Sequence, residues 1–267
     1  MRHFFFLIVL LSIAGCSARP PVEPPAPVAI PDWPAKAPRF DDQDLFDWTG
    51  RKPWSYPIHG IDVARYQGED IDWPAVRRSG VSFAYIKATE GGDHLDDLFK
   101  QNWRGAKRAG LLRGAYHYFY FCRPAADQAR WFIKHVPKDA KMLPPVLDIE
   151  WTPYSPTCRI RPEPARVRAE MKKFLQRVER HYGKPPLVYT TPDFYHRNEL
   201  WRLQGVEFWL RSVADHPHKR YPGRRWTFWQ YTGTGIVPGI KGNTDINVFA
   251  GTAQQWQAWL NARGVMR

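Results

Sequence analysis

The 267 residues fit an α/β protein, a single irregular (β/α) barrel of the TIM-barrel type with fewer helices in its last third. Three observations lead there. From residue 58 onward, short apolar runs with strand periodicity alternate with helical patterns, the order that builds a parallel sheet. So many strand and helix units within residues 58–267 suit closure into one barrel. The last third carries few helical patterns, which makes the expected barrel irregular and not eight matched repeats. An open doubly wound sheet is the alternative, but no glycine-rich phosphate loop follows the first strand.

The chain opens with Arg2, an apolar run from Phe4 to Leu11, and Ile13-Ala14-Gly15-Cys16. The run is too short to span a bilayer and ends in small residues, so 1–15 is expected to be a signal peptide. Its last residues resemble the lipobox of bacterial lipoproteins. That resemblance implies cleavage before Cys16, lipidation of Cys16 and a cell-envelope location. Ser17 after the cysteine implies an outer membrane, facing the periplasm, if the host has one. Residues 16–57 are expected to form a tether, because prolines crowd the stretch from Pro20 to Pro38 and a proline-rich chain is a semi-rigid spacer of about 3.1 Å per residue. Residues 41–57 are acidic and aromatic and carry no clear element signal.

The barrel domain is expected over 58–267. Its first strand is 58–63, with Ile61 and Val63 opposite Gly60 and Asp62; Asp72 then precedes a short helix that Gly80 stops. Strand 81–87 follows. Helix 95–109 breaks at Gly110, and 112–121 is a long aromatic strand. Helix 125–136 leads to Val146-Leu147-Asp148-Ile149-Glu150, an apolar run ending in two acids. Alternate strand side chains share a face, so Asp148 and Glu150 point together while Leu147 and Ile149 point away. A loop through Pro164 precedes the basic amphipathic helix 165–182 and strand 187–191. Helix 194–203, strands 207–212, 227–231 and 244–249, and a closing helix 253–262 complete the order.

The net charge of +13 favours a polyanionic partner. The basic residues are dispersed, with no arginine-rich arm and no nucleic-acid module, so nucleic acid is not expected and an anionic envelope polymer is. With Cys16 assigned to the leader, Cys122 and Cys158 are either a disulfide in an oxidising compartment or two inert thiols. No cysteine and histidine spacing supports a metal site.

Asp62, Asp148, Glu150 and Asp245 would converge in the barrel interior, where an unpaired charge is strongly disfavoured. Pairing with Lys87 or Arg211 would explain any one of them, but four converging acids point to a divalent metal or to acid and base work on a glycosidic bond. His59, His117 and His181 form no ligand pattern with the acids. Tyr116, Tyr118, Tyr189, Trp209, Trp229 and Tyr231 suit the apolar faces of sugar rings, which favours the glycosidic reading.

The motifs Gly60-Ile61-Asp62-Val63, Gln67-Gly68, Ile86-Lys87-Ala88-Thr89-Glu90-Gly91, Gly114-Ala115-Tyr116-His117-Tyr118, Pro145 to Glu150, Val188-Tyr189-Thr190, Trp229-Gln230-Tyr231 and Thr244-Asp245-Ile246-Asn247 occur in one order. Together they resemble the family 25 glycoside hydrolases over about residues 58–250. The resemblance implies an irregular β/α barrel and a muramidase that cleaves the β-1,4 bond from N-acetylmuramic acid to N-acetylglucosamine in peptidoglycan. It implies Glu150 as proton donor, Asp148 as a partner that attacks the anomeric carbon or orients the substrate's 2-acetamido group, and Asp62 and Asp245 as supporting acids. Lys87, Glu90, Tyr116, Tyr189, Trp229 and Gln230 are expected to bind substrate, with no metal or organic cofactor and no obligate protein partner. Ala64 departs from the serine common in the family and leaves the hydrogen bonding of Asp62 open. A non-catalytic peptidoglycan-binding lipoprotein and a glycosidase of another polysaccharide are the alternative functions.

Overall fold

A computed structural model describes residue 1 and residues 37–265. Cys16 and most of the proline-rich stretch lie outside the described residues. The strands are β1 (Asp41–Asp42), β2 (His59–Val63), β3 (Val81–Glu90), β4 (His94–Leu95), β5 (Leu112–Tyr118), β6 (Val146–Asp148), β7 (Leu187–Thr190), β8 (Glu207–Arg211), β9 (Phe228–Ile236) and β10 (Thr244–Phe249). Eight of them close a barrel in the order β2, β3, β5, β6, β7, β8, β9, β10. All neighbours are parallel except β10, which runs antiparallel to both β9 and β2 and seals the ring.

Two apolar clusters lie on the two sides of this wall, as the two-residue period of a strand requires. Ile58, Phe83, Tyr85, Val146, Leu187, Trp209 and Phe228 fill the interior. Ile61, Ile86, Ala115, Leu147, Val188 and Trp229 face outward into the surrounding layer. Interior rings require glycine opposite them: a Cβ at Gly60 would come within 2.3 Å of the Phe83 ring, and one at Gly114 within 2.2 Å of the Tyr85 ring.

The helices are α1 (Trp73–Arg78), α2 (Phe99–Arg108), α3 (Ala125–His135), α4 (Pro164–Tyr182), α5 (Pro192–Arg197), α6 (Pro217–Arg220) and α7 (Ala253–Ala262). Asp72 caps α1 by accepting from the Ala75 N–H at 3.0 Å, and α4 ends on Gly183 in the left-handed region. Only the four-residue α6 separates β8 from β9, and no helix separates β9 from β10. α7, capped by the reciprocal Thr252 and Gln255 pair, places Trp256 and Leu260 against the barrel's interior cluster and closes its base.

Several boundaries differ from the sequence reading. The helix expected from 95 begins at Phe99 because His94–Leu95 pairs with β3 instead. The helix expected over 194–203 is interrupted by Glu199, whose φ of 50° is left-handed, and a 3-10 turn Leu200–Arg202 follows. β9 runs on to Ile236 because β10 and β1 both pair with it. Residues read with the tether also belong to the folded body. β1 joins the sheet, and Trp48 and Tyr56 are buried against Trp229, so the packed domain starts upstream of residue 58.

Candidate active site

Because β10 runs opposite to its neighbours, its first residues lie at the end where the parallel strands finish. Asp245 stands directly across from Asp62 in the register. Asp148 closes β6 between Tyr118 and Tyr189, and Glu150 follows two residues later on the same face. All four acids line one cleft of about 1150 Å³ at the C-terminal end of the barrel, where such folds place their chemistry.

Asp62 is the most completely held of the four. Asn247 Nδ2 donates to its Oδ2 at 2.8 Å and Gln230 Nε2 at 3.4 Å. Behind them, Trp209 Nε1 donates to Asn247 Oδ1 at 2.8 Å and Tyr189 OH to Gln230 Oε1 at 2.7 Å. These two chains orient both amides, so Asp62 has its donors without a hydroxyl at Ala64. Asp148 contrasts with it: its Oδ1 is buried with no hydrogen-bond partner among the described residues.

Four acids in one partly apolar cleft resist ionisation. Burial, reinforced by Asp245, holds the Asp62 carboxyl well above the usual carboxylate range, against the pull of Asn247 and Gln230. Burial and then Glu150 hold Asp148 well up, although Lys87 opposes them. Burial pushes Glu150 up to about 7, with the Arg211 guanidinium opposing. Asp245 is pushed up to about 6 by burial, again against Arg211.

Lys87 reaches the same cleft from β3, pairs with Glu90 at 2.5 Å, and lies 4.8 Å from the centre of the Tyr118 ring. Burial alone would raise Glu90, but Lys87 and the Tyr120 hydroxyl hold its carboxyl below the ordinary value. Tyr116, Tyr189 and Gln230 also line the cleft. Trp229 does not. It is fully buried on the outer side of the wall, with Nε1 donating to Ser212 O at 2.8 Å. Neighbours in a strand point to opposite faces, so Trp229 and Gln230 cannot both reach the interior. Tyr231 faces outward as well, towards His59.

Cys122 and Cys158 are joined by a disulfide with Cα atoms 5.7 Å apart. It ties the segment after β5 to the loop after β6, and both cysteines line the cleft wall. Arg211, expected only as a structural partner, lines the cleft, and Asn247, which is outside the expected site, holds Asp62. The alternation of Asp245 with Asn247 along one strand was the available signal for the latter. Among the described residues, no group of three or more His, Cys, Asp or Glu side chains is arranged to hold a metal ion.

Known proteins resemble the chain in sequence and in fold. The sequence profile of glycosyl hydrolases family 25 matches residues 61–240. The chain is 40% identical over 219 residues to the uncharacterized protein YegX of Escherichia coli K12, covering 79% of this chain and 76% of that one. It is 36% identical over 222 residues to lysozyme M1 of Streptomyces globisporus, covering 76% and 71%. The solved structure of a family 25 glycosyl hydrolase from Bacillus anthracis superimposes with a TM-score of 0.73 at 35% identity, covering 80% of this chain and 98% of that one. The chain belongs to family 25 of the glycosyl hydrolases.

Proposed function

We infer that the protein is a peptidoglycan muramidase, a lysozyme that hydrolyses the β-1,4 bond between N-acetylmuramic acid and N-acetylglucosamine. The observation that carries the reading is Glu150, a carboxyl raised to about 7 inside a cleft that it shares with three more acids. A general acid needs its proton at the working pH, and this environment keeps it there. Glu150 gives that proton to the glycosidic oxygen as the bond to the anomeric carbon breaks. The leaving sugar departs with a new hydroxyl, and positive charge builds on the ring left behind.

Asp148 lies two residues before Glu150 and lines the same cleft. A carboxyl that resists ionisation is a weak nucleophile, which favours its holding the 2-acetamido group of the substrate. Its buried Oδ1, without a partner among the described residues, is an acceptor suited to the acetamido N–H. The acetamido carbonyl then attacks the anomeric carbon, and a water deprotonated by Glu150 later displaces it. Asp62, held by Asn247 and Gln230, and Asp245 line the same cleft as supporting acids.

Digestion of purified peptidoglycan tests the function. New reducing ends at N-acetylmuramic acid are expected; if they appear only at N-acetylglucosamine, the assignment fails. Binding without any new ends would favour a non-catalytic peptidoglycan-binding protein.

A lipid anchor on Cys16 and a proline-rich tether complete the proposal. They are supported by the sequence of residues 1–38, with its apolar run, small residues before the cysteine, and prolines. The domain would then work on the wall within reach of a membrane, the outer membrane where the host has one. Cys16→Ser is expected to release the protein from membranes, and retention of the variant there would refute the anchor.

A further inference from the structure

Away from the catalytic acids, the described surface gathers cations where few acids answer them. Arg130 and Lys134 lie one turn apart on α3, and Arg177, Arg180 and His181 share a side of α4. With Ile133 they line an open concavity whose walls contain no acid. Arg130 is paired with Asp127, but neither Arg177 nor Arg180 has an acidic partner among the described residues. A second concavity shares Arg130 and Lys134 with this one, and shares Gly92 and Arg123 with the catalytic cleft. The three depressions therefore follow one another from the cleft rim across α3 to α4. Asp127 also lines the middle one beside Arg130, and Arg123 pairs with Asp93, so Lys134, Arg177 and Arg180 are the cations on this path without an acidic partner among the described residues.

We propose that this path is a second substrate-binding site, which holds carboxylates of the stem peptides of peptidoglycan while the glycan strand occupies the cleft. The inference rests on the muramidase reading and adds to it the part of the substrate that lies beyond the sugars. Continuity with the cleft selects the ligand, because a chain bound there is attached to the same polymer. Guanidinium groups match carboxylates with paired hydrogen bonds. The concave form also argues against a flat bilayer surface, which meets protruding side chains first. Arg166 and Lys172, both exposed on α4, line neither concavity, and so provide a built-in comparison.

The test uses the full chain carrying Glu150→Gln, so that the wall is bound and not digested. Sedimentation with insoluble peptidoglycan is compared for Arg177→Glu/Arg180→Glu and for Arg166→Glu/Lys172→Glu, two pairs with the same change of charge. The first pair is expected to weaken binding about tenfold at low salt, with the difference shrinking as salt rises. The second pair is expected to change it much less. Wall material stripped of its peptides by an amidase should bind both variants alike. Equal losses in the two pairs, or unchanged wild-type affinity for stripped wall, would overturn the proposal. So would stronger binding of the path to anionic phospholipid vesicles than to the wall. With Glu150 restored, cleavage of a short peptide-free oligosaccharide should not distinguish the Arg177 and Arg180 variant from the wild type. If the wild type fails to cleave that substrate, the muramidase reading fails, separately from the binding result.

Discussion

The two ends of the barrel interior are built by the same strands and do opposite things. At the base, Phe83, Phe228 and Trp256 pack ring against ring. The acid there, Glu207, is answered on every side: Thr227 donates to it at 2.8 Å, Trp259 at 2.9 Å, and Arg263 pairs with it. A few residues further along the strands four acids share one cleft, and Arg211 or Lys87 acts on Asp148, Glu150 and Asp245. Satisfied polar groups contribute stability, whereas acids that are buried, and only secondarily repelled by one another, gain affinity for protons and disfavour the charged fold. One end holds the molecule together and the other is kept ready for chemistry.

The sharpest way to separate the two ends is Glu150→Gln. Hydrolysis is expected to fall by at least about 10³-fold, because the proposed proton donor is lost while shape is kept. Its melting temperature at neutral pH should stay level or rise, since one repelling acid is gone; differential scanning calorimetry beside a reducing-end assay reads both. At the base, Phe83→Ala should do the reverse. A loss of about 3–5 kcal/mol in denaturant unfolding is expected from the cavity left behind, with turnover per folded molecule retained. If Phe83→Ala abolished turnover while the fold persisted, the division between the ends would collapse.

Smaller changes refine the picture. Asn247→Leu removes the 2.8 Å donor to Asp62 and should lower kcat/KM about tenfold. Glu150 has an ordinary value of 4.5 and a folded value of about 7, so the folded chain holds the extra proton between them. Stability should therefore fall as pH rises from 4.5 to about 7, and activity should fall above about 7 as the donor ionises. A flatter stability profile is expected for Glu150→Gln, and an unchanged one would contradict the assigned titration. Smallest of all in activity is Trp229→Phe. It should leave kcat/KM within about twofold and lose about 1 kcal/mol of stability with the hydrogen bond to Ser212; a large rise in KM would return Trp229 to the site.

Much of this was legible before any coordinates. Alternation alone put Asp148 and Glu150 on one face, and the motif order marked Asp62 and Asp245 as their companions. Trp229 was misplaced because an aromatic beside a site residue was read for its chemistry and not for its face. Residues 41–57 were opaque because a stretch with no periodicity reveals nothing of the packing of Trp48 and Tyr56 on Trp229, or of Tyr56 on His216, far along the chain. The role of Asn247 depended on β10 turning antiparallel, which no local pattern announces.

The alternation of strand and helix patterns determined the barrel, the ordered motifs carried the family resemblance, and the two-residue period put the acids on one face, because a strand's faces are set by covalent geometry. Tertiary structure decided the rest. Closure by an antiparallel strand set Asp245 across from Asp62, the Trp209 and Tyr189 chains oriented the amides on Asp62, and burial in a shared cleft raised Glu150 to a useful value. Those properties belong to groups brought together from distant strands, and proton affinity in particular depends on surrounding charge and solvent that a single segment does not possess.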